Sequence, residues 1–180
     1  YLLTDIVAKA YQCGNVVHTH CANNSIAFSG INSMAELVKL QRIYYEERAY
    51  AFLNKGVKIC DPARFECQGE VDIGYDTEVR PNVSLTGPCT IGSNCLFASN
   101  IYISSGSHTF LSNKYLPIKA QDRLGTVDKP ILIEDDCWLG FGVVIMAGVY
   151  IGKGAIIGSN SVVTKDIYPY TINAGVPSKE

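Results

Sequence analysis

Charge of either sign is scarce in this chain. Its 15 Lys and Arg against 17 Asp and Glu in 180 residues leave a formal net charge of −2. That balance holds nothing to attract nucleic acid or an anionic membrane. No apolar run approaches the ~18 residues of a membrane helix, and no basic stretch leads into an apolar core, so the chain reads as soluble. Seven cysteines (13, 21, 60, 67, 89, 95 and 137) are odd in number and form no C-x-x-C pair. A zinc knuckle and a disulfide framework are both disfavoured, and the thiols read as small hydrophobes in a reducing cytoplasm. Only three histidines are present.

Apolar material is plentiful, at 47% of residues, which suits one domain or one domain with a subdomain. The first sixty residues read as mixed α and β. Thr4 to Tyr11 predicts a short helix closed near Gly14, and "NVVHTH" predicts a strand. Ser33 and Glu36 form an S-x-x-E capping box that opens a helix of about twenty residues. Leu37, Leu40, Ile43 and Tyr44 follow at helical spacing, and Gly56 offers the stop. His18 and His20 share one face of the expected strand, but two ligands without a third do not make a metal site.

From Ile73 the pattern changes. Ile73, Val79, Leu85, Ile91, Phe97 and Ile103 recur in a six-residue beat, and Ile133, Leu139, Ile145, Ile151, Ile157 and Val163 resume the series. Four places after each stands a mostly small residue: Thr77, Val83, Cys89, Cys95, Ile101 and Ser107, then Cys137, Val143, Val149, Ala155, Ser161 and Ile167. A helix repeats about every 3.6 residues and a strand every two. A six-residue unit with one large and one smaller inward side chain predicts a parallel β-helix, three units to a coil. Twelve units make about four coils. Between the two series lies the segment 109–132, a whole number of hexads long, whose charged and polar content does not suit the core. A long excursion from a rigid repeat marks a functional loop, and His108 stands immediately before it.

The segments "IGSNCLFASNIYISSGSH", "CWLGFGVVIMAGVYIGKGAIIGSNSVVTKD" and "NAGVPSK" resemble the hexapeptide-repeat acyltransferases, in particular the galactoside and maltose O-acetyltransferases. The resemblance implies a left-handed β-helix, where the general rule for β crossovers would favour the right-handed form. "YLLTDIVAKAYQ" and "GINSMAELVKLQRIYYEERAYAFLNKGVKICDPARF" resemble the junction of the bifunctional uridylyltransferase/glucosamine-1-phosphate acetyltransferase, where a nucleotide-binding domain ends, a long helix follows and the β-helix begins. Residues 1–32 then correspond to the end of a nucleotidyltransferase-like domain, 33–56 to the linking helix and 57–180 to the β-helix. Asn32 matches an asparagine that helps hold Mg²⁺ in that family, but the partner aspartate and the Gly-rich phosphate loop are not in this sequence. Nucleotide transfer by this stretch alone is therefore not expected, and no metal is assigned. The family's N-Y-D-G acceptor motif is also missing.

Acyl transfer from a thioester needs a base for the attacking hydroxyl or amine, and a neutral imidazole suits that role near pH 7. The resemblance gives it to His108, with acetyl-CoA as donor and direct attack in a ternary complex. It carries cofactor contacts onto Trp138, Gly140, Phe141, Ser159, Thr164, Lys165 and Lys179, the lysines meeting nucleotide phosphates. Backbone N–H groups from Gly140 to Gly142 are candidates for the oxyanion. Glu134, Asp135 and Asp136 form a polar corner from which one carboxylate could orient His108. The resemblance also implies a homotrimer acting on a sugar, amino sugar or sugar phosphate or nucleotide. A γ-type carbonic anhydrase would need three histidines in the repeat region, which has one. The non-enzymatic alternative is a trimerising β-helix module of a larger nucleotidyltransferase-type protein.

Overall fold

The computed structural model describes residues 3–21, 29–107, 115–117 and 127–180. The chain divides into two compact units, residues 1–40 and 41–180.

In the first unit, helix α1 runs Leu3–Gln12. Gly14, at φ +76, turns the chain out of it, and its N–H donates to the Tyr11 carbonyl at 3.0 Å. The strand expected over Asn15–His20 does not form: these residues are exposed and pair with no strand among the described residues. An isolated strand has nothing to satisfy its backbone groups except water. His18 and His20 are exposed with it.

Helix α2 spans Met34–Asn54 and passes from the first unit into the second. Its capping box forms with a variation. The Glu36 N–H donates to Ser33 Oγ at 3.2 Å, while Glu36 Oε2 accepts from the Asn32 N–H at 2.7 Å. Gly56 ends the helix at φ +89, with the Val57 N–H reaching back to the Phe52 carbonyl at 3.1 Å. The buried face lies further along than expected, on Tyr45, Ala49 and Phe52, whereas Leu37 and Tyr44 are exposed.

That C-terminal half of α2 plugs the first coil of the β-helix. Phe52 meets Phe65 edge-on at 6.2 Å between ring centres. Arg48 lies 5.9 Å over the Tyr44 ring and 5.7 Å over Phe52, and donates to Cys67 Sγ at 3.3 Å. Tyr45 Oη accepts from Gln41 at 2.7 Å and from Gln68.

Three parallel sheets form the faces of the solenoid. The first holds Lys58–Ile59, Glu78–Val79, Leu96–Phe97, Trp138–Leu139, Ile156–Ile157 and Ile172–Asn173. The second stacks Phe65–Gln68, Val83–Thr86, Tyr102–Ser104, Val144–Ile145 and Val162–Val163. The third stacks Val71–Ile73, Cys89–Ile91, Ile131–Ile133 and Tyr150–Ile151, with a bridge from Ile151 to Ile167. Five coils result, one more than the repeats suggest. The additional coil is the first, where Val79 pairs with Ile59 and not with Asp61, the residue a strict beat would place there. The turn Asp61–Arg64, closed by Asp61 Oδ1 accepting from the Ala63 N–H at 3.1 Å, interrupts the beat there.

Every aliphatic of the six-residue series is buried, from Ile73 to Val163. The smaller column is buried with it wherever its side chains are described, from Thr77 to Ile167. Burying each large member contributes about 1.5–3 kcal/mol. Corners recur three places after the core aliphatic, with positive φ at Asp76, Asn82, Asn94, Asn100, Asp136, Gly142, Gly148, Gly154 and Asn160. The left-handed conformation costs most residues about 1–2 kcal/mol and is tolerated by Gly, Asn and Asp. That is why this column holds little else.

The ladder locates the interruption. Val71 pairs with Cys89, its counterpart one coil on, but Cys89 pairs with Ile131, where an unbroken beat would bring Ser107. The displacement from 107 to 131 is the insertion expected from the sequence. Its stem is a short antiparallel pair, Gly106–Ser107 with Val127–Asp128. The parallel ladder resumes at Ile131, just ahead of the first core aliphatic, Ile133.

Candidate functional site

Site residues fall on two corners of the β-helix. At the corner between the first and second faces, Trp138 projects outward from the fourth coil between Leu96 and Ile156. Gly140 follows, buried, with no room for a side chain: a Cβ there would stand 2.7 Å from the Ser159 nitrogen one coil on. Phe141 is about half exposed, at 47%, matching Trp138 at 48%. Ser159 is exposed on the same corner. Lys179 reaches it from the C-terminal hairpin, where its N–H donates to the Ala174 carbonyl at 3.0 Å. Four of the seven expected cofactor residues therefore share one corner, with two exposed rings beside a close backbone approach, and the Lys179 backbone pairs with Ala174, which follows the last strand of the first face.

Thr164 and Lys165 stand at the next corner, between the second and third faces. On that corner, two coils earlier, the chain leaves the solenoid through Ser104–Ser107 toward His108. His108 itself lies outside the described residues, as does most of the 109–132 loop. Its base is held firmly: the Ser105 N–H donates to Thr86 O at 3.0 Å, and Ser105 O accepts from the Lys129 N–H at 2.9 Å. Ser105 is fully buried, and its hydroxyl has no hydrogen-bond partner among the described residues.

Two expectations change. The N–H groups of Gly140 and Gly142 are spent on coil-to-coil bonds, to Ile157 O at 2.8 Å and Ser99 O at 3.1 Å. Of the oxyanion candidates only the Phe141 N–H is left. Two of the three carboxylates at the third corner are also committed. Glu134 Oε2 accepts from the Lys153 N–H at 2.8 Å, and Asp135 Oδ1 from the Ser93 N–H at 2.8 Å. Asp135 also pairs with Lys153 Nζ at 3.6 Å. They lie at the opposite end of the third face from the loop base and close coil corners.

Sequence reasoning missed the corner column itself, although Asn, Asp or Gly three places after most of the core aliphatics was there to be read. Among the described residues, no three His, Cys, Asp or Glu side chains converge on a metal-sized site. No described helix is long and apolar enough to cross a membrane.

The fold and the repeat define a class, the left-handed β-helix proteins built from hexapeptide units. Residues 130–165 match the family model for the bacterial transferase hexapeptide, six repeats. More particularly, the fold is that of the hexapeptide-repeat acetyltransferases. The chain is similar to the hexapeptide-repeat acetyltransferase VCA0836 of Vibrio cholerae O1 biovar eltor, solved with acetyl coenzyme A. That likeness has 28% identity and a TM-score of 0.60, over 98% of this chain and 87% of the other. A maltose O-acetyltransferase of Clostridium difficile 630 shares the fold, at a TM-score of 0.59 and 23% identity over 80% of this chain and 86% of that one. Among curated sequences, the bifunctional protein GlmU of Ruthia magnifica is 33% identical over 103 residues, 57% of this chain and 23% of that protein. The chain thus spans about a quarter of the length of such curated relatives.

Proposed function

We propose that the protein transfers an acyl group, in the first instance acetyl, from coenzyme A to a hydroxyl or amine of a sugar-type acceptor. The observation that carries this reading is the likeness, over nearly the whole of both chains, to an acetyltransferase solved with acetyl coenzyme A. His108 is the general base: it takes the proton from the acceptor as the acceptor attacks directly, with both substrates bound. Trp138, Gly140, Phe141, Ser159 and Lys179 bind the donor along their shared corner, and acyl-coenzyme A, when bound, would supply the activated thioester and leave as the free thiol. The Phe141 N–H meets the developing oxyanion.

Thr164, Lys165 and the stem of the His108 loop belong to a different corner of the same solenoid. A homotrimer reconciles the two groups, because one subunit's first corner can face its neighbour's second. The outward column Leu96, Trp138 and Ile172, all exposed, supports packing of that kind. Residues 1–32 are the end of a nucleotidyltransferase-like domain, 33–56 link it to the acyltransferase, and the protein works in the cytoplasm.

Release of free coenzyme A thiol, followed over a panel of sugars and amino sugars, tests the reading. An acceptor-dependent signal that His108→Ala lowers by about 10²–10⁴-fold is expected for a general base. Full turnover in His108→Ala rejects the assigned base. Silence with every acceptor favours the trimerising-module reading.

A further inference from the structure

The corner between the first and second faces carries a column of asparagines with one member missing. Asn82, Asn100, Gly142 and Asn160 stand at corresponding places in the second to fifth coils, all in the left-handed conformation, at φ 62, 62, 70 and 57. Asn82 Nδ2 donates to Asn100 Oδ1 at 2.8 Å. That bond fixes a polarity, in which each carboxamide gives an N–H to the carbonyl one coil on. The next place belongs to Gly142, so the Asn100 Nδ2 that would continue the series has no partner among the described residues. From the other side Asn160 Oδ1 overlies Gly142, in the place a Cβ would take. The column therefore has a gap one residue wide, with a donor on the third coil and a carbonyl acceptor on the fifth. Phe141 and Trp138, each about half exposed, belong to the same turn of chain as the gap.

We propose that an amide of the acyl donor's arm fills this gap and completes the column in place of the missing side chain. The inference rests on coenzyme A being the donor, and adds which side chains hold its arm. The arm's amide carbonyl accepts from Asn100 Nδ2, and its N–H donates to Asn160 Oδ1, the polarity that the Asn82–Asn100 bond dictates. A phosphate has no N–H for Asn160 Oδ1, and an apolar group would leave both ends unmatched. Glycine is needed at position 142 because a side chain there would take the ligand's place. Asn82 does not touch the ligand; it is a positioning residue that orients the Asn100 carboxamide.

Calorimetric titration of the intact chain with coenzyme A, and with adenosine 3′,5′-bisphosphate, which has the nucleotide end without the arm, tests this apart from catalysis. Asn100→Gly and Asn160→Gly suit the left-handed backbone and remove only a carboxamide. Each should weaken coenzyme A about three- to tenfold, the worth of one hydrogen bond, and leave the bisphosphate unchanged. Gly142→Asn closes the column with the chain's own amide. That variant should melt no lower than the unaltered chain, since Asn tolerates this conformation, yet bind coenzyme A about tenfold or more weakly. Circular dichroism confirms that each variant is folded. Unchanged coenzyme A binding in folded Asn100→Gly and Asn160→Gly overturns the proposal, as does an equal loss of the bisphosphate. If the unaltered chain binds no coenzyme A, the donor assignment itself falls, and the proposal with it.

Discussion

Cys89 and Ile131 lie side by side on neighbouring rungs of the third face, although the whole excursion through His108 separates them in sequence. Elsewhere on that ladder Val71 faces Cys89 and Ile133 faces Ile151, each pair a single unbroken coil apart. The solenoid therefore treats the intervening excursion as though it were absent.

Deleting residues 107–130 should leave the fold standing. The cut is a whole number of hexads and joins Gly106 to Ile131, so that 104, 105, 106 and 131 stack over 86, 87, 88 and 89 in the register the other coils use. Loop-closure cost varies only logarithmically with length, so the melting temperature should stay within about 5 °C of the full chain. Acyl transfer should vanish with His108. Thermal melts and the coenzyme A assay read the two outcomes separately.

The interior thiols set an alkaline limit. Burial pushes the Cys89 thiol up to about 12 and raises Cys67, against the opposing pull of Arg48. Unfolded, a thiol releases its proton near pH 9, whereas native Cys89 keeps its own until about 12. Between those values the native state binds the extra proton, so its stability is complete below pH 9 and falls by about 1.4 kcal/mol per pH unit above it. Denaturant titrations from pH 8 to 11 measure the slope. At pH 8, brief N-ethylmaleimide treatment and mass spectrometry should show labelling of exposed Cys13, Cys21 and Cys60. Buried Cys67, Cys89, Cys95 and Cys137 should resist until the chain unfolds.

At a corner, Asn94 holds φ +58. Asn94→Gly should be nearly neutral and Asn94→Val should cost about 1–2 kcal/mol, because a β-branched side chain cannot enter the left-handed region cheaply. Urea midpoints of the two variants give the comparison.

Arg48 joins the helix plug to the first coil through the Cys67 sulfur at 3.3 Å and Val71 O at 3.5 Å, while it rests over the Tyr44 and Phe52 rings of its own helix. Arg48→Ala should destabilise the protein by about 1–3 kcal/mol. Reduced protection from amide exchange should appear first at residues 57–68. Exchange mass spectrometry resolves that region from the later coils.

Much of this architecture is legible in the sequence because each inward position of a coil repeats the same environment. A hexad of Ile, Leu and Val with a smaller residue four places on can be read without knowing any contact. The first coil escapes that reading because the Asp61–Arg64 turn lengthens it, which puts Ile59 out of phase with Ile73. Phe65 and Cys67 hide it further, since the large side chain stacks on Val83 and the small one on Leu85, inverting the two columns. The Asn15–His20 segment carries the β-branched Val16, Val17 and Thr19 but finds no edge to join among the described residues, which only tertiary structure decides. Tyr45, Ala49 and Phe52 are selected over Leu37 and Tyr44 for a similar reason, since the end of the solenoid fixes which face of α2 is covered. At the candidate site, Trp138, Gly140, Phe141 and Ser159 fall on one corner because their spacing keeps the six-residue beat from one coil to the next. That Gly140 and Gly142 spend their N–H groups on neighbouring coils follows from the stacking and cannot be seen in spacing.

The plug on the first coil has a consequence beyond packing. A stack of parallel, in-register strands is a template whose every layer copies the one below, and a bare end would recruit extended segments from other molecules. By laying Tyr45, Ala49 and Phe52 across that end, α2 converts an open-ended polymer geometry into a finite object. The length of this solenoid is thereby set by a terminator as well as by the number of its repeats.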